Sequence, residues 1–202
     1  MKKSKLEAAE TRRRIVKTAA AEFRRHGIHD TGLSDVMAAA GLTHGGFYRH
    51  FDSKDQLVAE ACAAAMEATC ETTEALACDG VGNDALEAIV TTYLCTDSRD
   101  NRSEGCLFAG LGSELARSDD KIRAVATAGF LKQVEVVATQ YRRTKSKAAK
   151  ARALVAVTAM IGAVMMSRIV MDPELSAAIL HHTRKQLLKF AKARGNRSAE
   201  AN

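Results

Sequence analysis

The stretch Gly41–Lys54, "GLTHGGFYRHFDSK", decides the reading of this chain. Its fourteen positions hold three glycines, two histidines and three of the nine aromatic residues in the whole sequence. Two adjacent glycines, Gly45 and Gly46, weaken any helix they enter. Helix signals nevertheless surround them. Gly41 stops the helical pattern "TGLSDVMAAAGL", in which Leu33, Val36, Met37 and Ala40 fall on one face. Thr43 is an N-cap candidate, and Leu42 and Phe47 hold the two positions of a hydrophobic staple. A third helix over about residues 43–50 is therefore expected directly after the second. Two short helices joined by a tight glycine turn form a helix-turn-helix.

Outward from this point the chain reads as all-α. "SKLEAAETRRRIVKTAAAEFRRHG" carries Ile15, Ala19 and Phe23 on one stripe, with Gly27 as its C-cap. Ser53 and Gln56 form a capping box for a long helix running to Gly80 and Gly82. Asn83 caps a fifth helix, "TDSRDNRSEG" reads as a loop, and "CLFAGLGSELAR" as a short helix. Ser118 is the expected cap of the next, and Asp172 with Pro173 opens the last. About nine helices result. Residues 1–53 form a helix-turn-helix domain and 54–202 a helical C-terminal domain.

Composition bounds the function classes. The chain has 202 residues, 47% of them apolar, one proline and no tryptophan. Its apolar run "ALVAVTAMIGAVMM", Ala153–Met166, is fourteen residues long, against the roughly 20 needed to cross a bilayer. No apolar segment follows the basic start Met1-Lys2-Lys3, so the expected location is cytoplasmic, with no membrane partner. Residues 1–60 carry 11 Lys/Arg against 8 Asp/Glu, 61–140 carry 6 against 13, and 141–202 carry 13 against 3. A basic N-terminal module is compatible with nucleic acid. The basic C-terminal end reads as a solvated helix and tail.

A helix that reads DNA must approach it closely. Gly45 and Gly46 remove the bulk that would hold the backbone away, and the N–H groups of the first turn can then face phosphate oxygens. Thr43 and His44 can donate to phosphate or base edges. Tyr48, Arg49 and His50 add a hydroxyl, a fixed charge and a titratable donor, and Lys54 a further phosphate contact. Phe47 and Phe51, four apart, would pin the helix to the core.

On these residues, "TRRRIVKTAAAEFRRHGIHDTGLSDVMAAAGLTHGGFYRHFDSKDQLVAEA" resembles the N-terminal domain of tetracycline-repressor-like (TetR/AcrR) regulators. Ile15, Ala19, Phe23, Gly27, Thr31, Asp35, Val36, Ala40, Gly41, Gly45, Tyr48, His50, Phe51, Lys54 and Leu57 all fall in register. Gly32 stands where a second Thr is usual, so one hydroxyl contact is absent, and Met37 where a small Ala is common. The resemblance implies a dimeric regulator, most often a repressor, bound to a palindromic double-stranded DNA operator. It implies positioning contacts from Arg14, Thr31, Gly32 and Lys54. It also implies dimerisation through the last two helices, and a ligand-binding C-terminal domain. A dimer would place its two recognition helices about 34–36 Å apart.

Five cysteines, at 62, 70, 78, 95 and 106, form no C-x-x-C. Cys62, Met66 and Cys70 share one helix face. Eight helical residues separate the two thiols by about 12 Å, too far for a disulfide, and both read as small core residues. Cys106 differs: after Gly105, it opens a helix whose N–H groups favour a thiolate. The "GCL" start resembles a subgroup of the family with an electrophile- or oxidant-reactive cysteine. The inducer is thus an unknown small molecule or an electrophile. Met66, Tyr93, Phe108, Phe130 and Met160 are the candidate lining of a ligand cavity. No metal site or cofactor is implied, and no enzyme: the histidines lie at 26, 29, 44, 50, 181 and 182, none beside Cys106 in sequence as a nucleophile–base pair requires. The alternatives are a helical thiol-redox protein, or an adaptor that does not bind DNA.

Overall fold

The computed structural model describes residues 5–79, 83–141 and 146–192. Among them, nine α-helices and one short 3-10 helix occur, and no strand. The helices are α1 (Lys5–His26), α2 (Leu33–Ala39), the 3-10 helix (His44–Arg49), α3 (Lys54–Asp79), α4 (Asn83–Tyr93), α5 (Thr96–Asp100), α6 (Leu107–Arg117), α7 (Asp120–Thr139), α8 (Ser146–Ile169) and α9 (Pro173–Lys192). Gly80 and Gly82, expected to close α3, and the Asn83 side chain, expected to cap α4, lie outside the described residues, as does the Phe190 side chain on α9.

The chain forms two compact units. The first joins residues 1–68 with 102–129, and the second joins 69–101 with 130–202. The core of the first is built from Ile15, Ala19 and Phe23 of α1, Val36 and Met37 of α2, and Phe47 and Phe51 around the 3-10 helix. Leu57, Val58 and Ala61 of α3 and Leu107, Leu111 and Leu115 of α6 complete it. The predicted stripe of α1 is therefore the buried one. Gly27 ends α1 at φ +91°, and Gly41 follows α2 at φ +70°. At Gly41 the two bonds of a Schellman motif form: Leu42 N–H to Met37 O (2.8 Å) and Gly41 N–H to Ala38 O (2.9 Å). A side chain at a positive φ is strained, so the turn of the motif needs this glycine. Within the same unit α3 and α7 approach so closely that a Cβ at Gly129 would overlap the side chain of Met66.

In the second unit α8 packs along α9, and α9 against α4. The apolar run Ala153–Met166 lies inside a 24-residue helix. The expectation that it is too short to cross a membrane is corrected here. Lys147–Ile169 is long and apolar enough by length and composition, because the helix continues in both directions past the run. One side of α8 is buried through Ala153, Ala156, Val157, Met160 and Val164. Leu154, Val155, Met165, Met166 and Ile169 are exposed in the chain.

Three local readings are revised. "TDSRDNRSEG" is not all loop, since α5 occupies Thr96–Asp100. The Sγ of Cys95 accepts the N–H of Ser98 (3.3 Å) as its cap. Arg168 closes its end, donating from Nε to Arg99 O (2.9 Å) and from Nη2 to Ser98 O (3.0 Å). The cap of α7 is Asp119, not Ser118. The Asp119 carboxylate accepts the N–H of Ile122 (2.8 Å), whereas the Ser118 hydroxyl donates back to Glu114 O (3.0 Å) and finishes α6. At α3 the Gln56 N–H donates to Ser53 Oγ (3.1 Å). The Gln56 side chain, however, accepts from Asp52 N–H (2.7 Å), one residue before the partner a reciprocal box would use. The Asp172 cap forms as expected, accepting from Glu174 N–H (2.9 Å), with Pro173 in first position.

Candidate nucleic-acid interface

The third helix is shorter and tighter than an α-helix over 43–50. It is a 3-10 helix of six residues, with Gly46 N–H bonded to Thr43 O (3.0 Å) and His50 N–H to Phe47 O (2.9 Å). Two adjacent glycines lower helix propensity, and so few residues gain little from propagation, so the tighter form is adopted. Thr43 has the extended backbone of an N-cap, without a side-chain cap bond.

One face of this helix is anchored and the other is open. Phe47 and Phe51 are buried and stacked, with ring centroids 5.4 Å apart. Leu42 packs against the same core. Thr43, His44, Gly45, Tyr48 and Arg49 are exposed, and His50 is half-buried. Tyr48 is a large aromatic left 65% exposed. Its ring meets Phe47 edge-on at 5.1 Å and His44 edge-on at 6.4 Å, so it is held by contacts on both sides. A Cβ at Gly45 would meet nothing within 4 Å. One at Gly46 would touch Met37 Cε at 3.5 Å, so Gly46 backs onto the core and only Gly45 opens outward.

The remaining predicted contacts divide. Arg14 is exposed on α1, and Lys54 begins α3 beside the 3-10 helix in sequence. Gly32 is the N-cap of α2, and its N–H donates to the Asp35 carboxylate (3.1 Å). Thr31 is buried, and its hydroxyl donates to Gly27 O (2.6 Å), tying the end of α1 to the start of α2.

Three residues that sequence reasoning passed over, Arg12, Glu60 and Glu114, brace this face and the turn before α2. Arg12 of α1 donates from Nε to His50 O (3.2 Å) and from Nη2 to Glu60 Oε1 (2.7 Å). Its Nη1 faces the other Glu60 oxygen, and its guanidinium lies 4.4 Å from the Phe51 ring centroid. Gln56 also donates to Glu60 Oε1 (3.3 Å). The hydrogen bond from Arg12 holds the Glu60 carboxyl below the usual carboxylate range against a smaller effect of burial. Glu114 of α6 accepts the His29 N–H (2.9 Å) in the turn between α1 and α2. Arg12 borders the buried stripe Thr11–Ile15–Ala19, the one hint of its role in the sequence. Nothing in the sequence marks Glu114.

Cys106 stands half-buried as the N-cap of α6, without a side-chain cap bond. Arg24 lies near it: its Nη1 donates to Gly105 O (3.4 Å), and its charge is felt by both Cys106 and Cys62. Burial pushes the Cys62 thiol up to about 11, opposed by Arg24. Of the five residues expected to line a ligand cavity, Met66 and Phe108 fall in the first unit. Tyr93, Phe130 and Met160 fall in the second.

Comparison with known proteins agrees with this geometry. The family model of bacterial regulatory proteins, tetR family, matches residues 15–61. The probable acrEF/envCD operon repressor of Escherichia coli (strain K12) is 44% identical over 59 residues, which are 29% of this chain and 27% of that protein. The chain thus aligns with little more than a quarter of that relative's length. A TetR transcriptional regulator from Chloroflexus aurantiacus J-10-FL is 29% identical, covers 92% of this chain and 96% of its own, and has a TM-score of 0.76. A TetR-family regulator from Cytophaga hutchinsonii shares the fold, with a TM-score of 0.80 over 96% of this chain and 98% of its own at 18% identity. The glycine-opened, aromatic-anchored short helix thus lies in a segment, residues 15–61, that matches the tetR family of bacterial regulatory proteins, and the described chain shares the fold of TetR-family regulators.

Proposed function

We propose that the protein is a sequence-specific DNA-binding transcriptional regulator, a repressor in its simplest form, working in the cytoplasm and not as an enzyme. The observation that carries this reading is the open face of the 3-10 helix. There His44, Gly45, Tyr48 and Arg49 are exposed while Phe47 is fully buried beneath them. On this reading Thr43, His44, Tyr48, Arg49 and His50 meet base edges, and the backbone at Gly45 and Gly46 passes close to phosphate. Arg14 and Lys54 set the register on the duplex, with the backbone of Thr31 and Gly32. Residues 1–53 form the DNA-binding part and 54–202 the sensing and dimerising part.

The exposed apolar positions of α8 support a homodimer. Val155, Gly162, Met166 and Ile169 recur at helical spacing, and a Cβ at Gly162 would meet nothing within 4 Å. A small residue on an open apolar face lets a partner helix approach closely. The two recognition helices of such a dimer read a palindrome.

Selection from random-sequence duplexes tests the function. The expected outcome is a palindromic site whose affinity falls steeply with salt. A protein that enriches no sequence, or whose binding ignores salt, does not have this function.

Arg24 beside Cys106 favours a thiol-responsive form of the regulator. A nearby cation stabilises the thiolate. Addition of the Cys106 S–H across an activated double bond forms a C–S bond and moves the proton to the neighbouring carbon. The adduct at the head of α6 would disturb the helix that holds the α1–α2 turn. A Cys106→Ser protein whose DNA binding remains as sensitive to an activated alkene as the wild type removes this form. The search then moves to a non-covalent ligand near Met66, Tyr93, Phe108, Phe130 or Met160.

A further inference from the structure

Six residues with two adjacent glycines cannot fix the direction of a helix by themselves. Phe47 and Phe51 hold the 3-10 helix down, but two stacked rings leave it free to tilt about them. The second restraint lies at its end. The His50 carbonyl is one of the acceptors a helix terminus leaves unsatisfied, and a cationic donor there also suits the helix dipole. Arg12 supplies that donor from Nε at 3.2 Å. Arg12 is itself fixed by both Glu60 oxygens and by the Phe51 ring. Glu60 receives a further bond from Gln56, one turn earlier on α3 (3.3 Å). One guanidinium thus joins α1, the end of the 3-10 helix and α3. The three contacts are made from three separate nitrogens of one plane; the ammonium of a lysine offers its donors from a single nitrogen and does not reproduce this bidentate geometry.

We propose that Arg12 and Glu60 are positioning residues for DNA recognition: the clamp sets the angle at which Tyr48 and Arg49 are offered to the bases. The proposal rests on the DNA-binding reading above. It has a consequence that plain electrostatics reverses. Glu60 is a negative charge on α3, six residues beyond Lys54 and paired with Arg12 of the basic DNA-binding part, so its removal by charge alone strengthens binding to every duplex. Loss of the clamp weakens binding to the selected site only.

The test compares wild type, Glu60→Gln and Arg12→Lys on the selected operator and on an unrelated duplex. Amide hydrogen exchange at His50 and Phe51 is followed alongside, since both N–H groups bond to Phe47 O. Arg12→Lys keeps the charge and Glu60→Gln the shape. In both variants operator affinity is expected to fall about tenfold, as for the loss of one good base contact. Affinity for the unrelated duplex should hold or rise, and exchange at the two amides should quicken. Equal tightening on both duplexes in Glu60→Gln, or unchanged specificity in both variants, overturns the proposal. A wild type that selects no sequence overturns the DNA-binding reading instead. The clamp is then judged by exchange alone, and unchanged protection in both variants overturns it.

Discussion

The Oε2 of Glu114 on α6 accepts the backbone N–H of His29, between α1 and α2, at 2.9 Å. The same carboxylate lies against Gly27, where a Cβ would approach Oε1 to 2.9 Å. A helix of the first unit outside the helix-turn-helix thus holds the turn on which that motif depends. Glu114→Ala removes a charge-assisted hydrogen bond whose donor is exposed enough to recover water. A loss of about 1 kcal/mol is expected, less than the roughly 1.5–3 kcal/mol of a hydrogen bond to a charged group because the donor regains water, read as a lower urea midpoint. An unchanged midpoint means the turn holds itself through Thr31 and Gly27 alone.

Gly45 separates stability from recognition. Because a side chain there meets nothing in the protein, Gly45→Ala should raise stability slightly, by up to about 1 kcal/mol. Gly45→Leu should leave the melting temperature within a few degrees and weaken operator binding at least about tenfold, by holding the backbone off the duplex. Anisotropy titrations beside melting curves check both. Operator affinity preserved in Gly45→Leu removes this residue from the interface.

These cases show where the sequence was legible and where it was not. Gly27, Gly41, Asp172 and Pro173 announce their roles because the chemistry is local: a positive φ, a carboxylate two residues before an N–H, a fixed ring. The stripe Ile15–Ala19–Phe23 is legible because burial follows the helical period. Arg12 and Glu114 were not, because their partners stand 48 and 85 residues away. The same holds for α5, whose end depends on Arg168. Neighbouring cap candidates such as Ser118 and Asp119 compete, and only geometry decides which hydroxyl or carboxylate faces the free N–H groups. The glycine pair announces a weak helix, but the tighter 3-10 form that the short segment takes above the anchors Phe47 and Phe51 is visible only in the backbone hydrogen bonds.

Gly129 and Met66 mark a close crossing within the first unit. Gly129→Ala forces the Met66 side chain from its place, and a loss of about 1–3 kcal/mol is expected for overpacking. Met66→Ala leaves a cavity and costs about 2–5 kcal/mol. The added methyl partly refills that space, so the double variant should be less destabilised than the two single losses added together. Strict additivity in urea unfolding shows that the two residues do not press on each other.

Cys62 gives the protein a weakness in alkali. The unfolded thiol ionises near 9.0, the folded one only near about 11. Above pH 9 the unfolded chain therefore binds fewer protons than the folded one, and stability falls as pH rises. The slope reaches about 1.4 kcal/mol per pH unit between the two values. Well below pH 9 the thiol is protonated in both states and contributes no slope. Urea midpoints of wild type and Cys62→Ala from pH 8 to 10.5 test this, and parallel curves exclude it. The same shift predicts that Cys62 resists alkylation at pH 8 in the folded protein, while the exposed Cys78 reacts.

Gly162 tests the dimer without disturbing the protomer. It lies on α8 among the exposed Val155, Met165, Met166 and Ile169, and a side chain there meets nothing of its own chain. Gly162→Leu should therefore fold normally, and the better helix propensity adds up to about 1 kcal/mol. If a second copy packs on this face, the leucine separates the two helices, and sedimentation should show monomer at concentrations where the wild type is dimeric. Val155→Glu should do the same by burying a charge in the seam. Operator affinity falls with either variant, because a monomer presents one reading head to a two-headed site. A dimer that survives both substitutions is held elsewhere, and the apolar face of α8 then faces another partner.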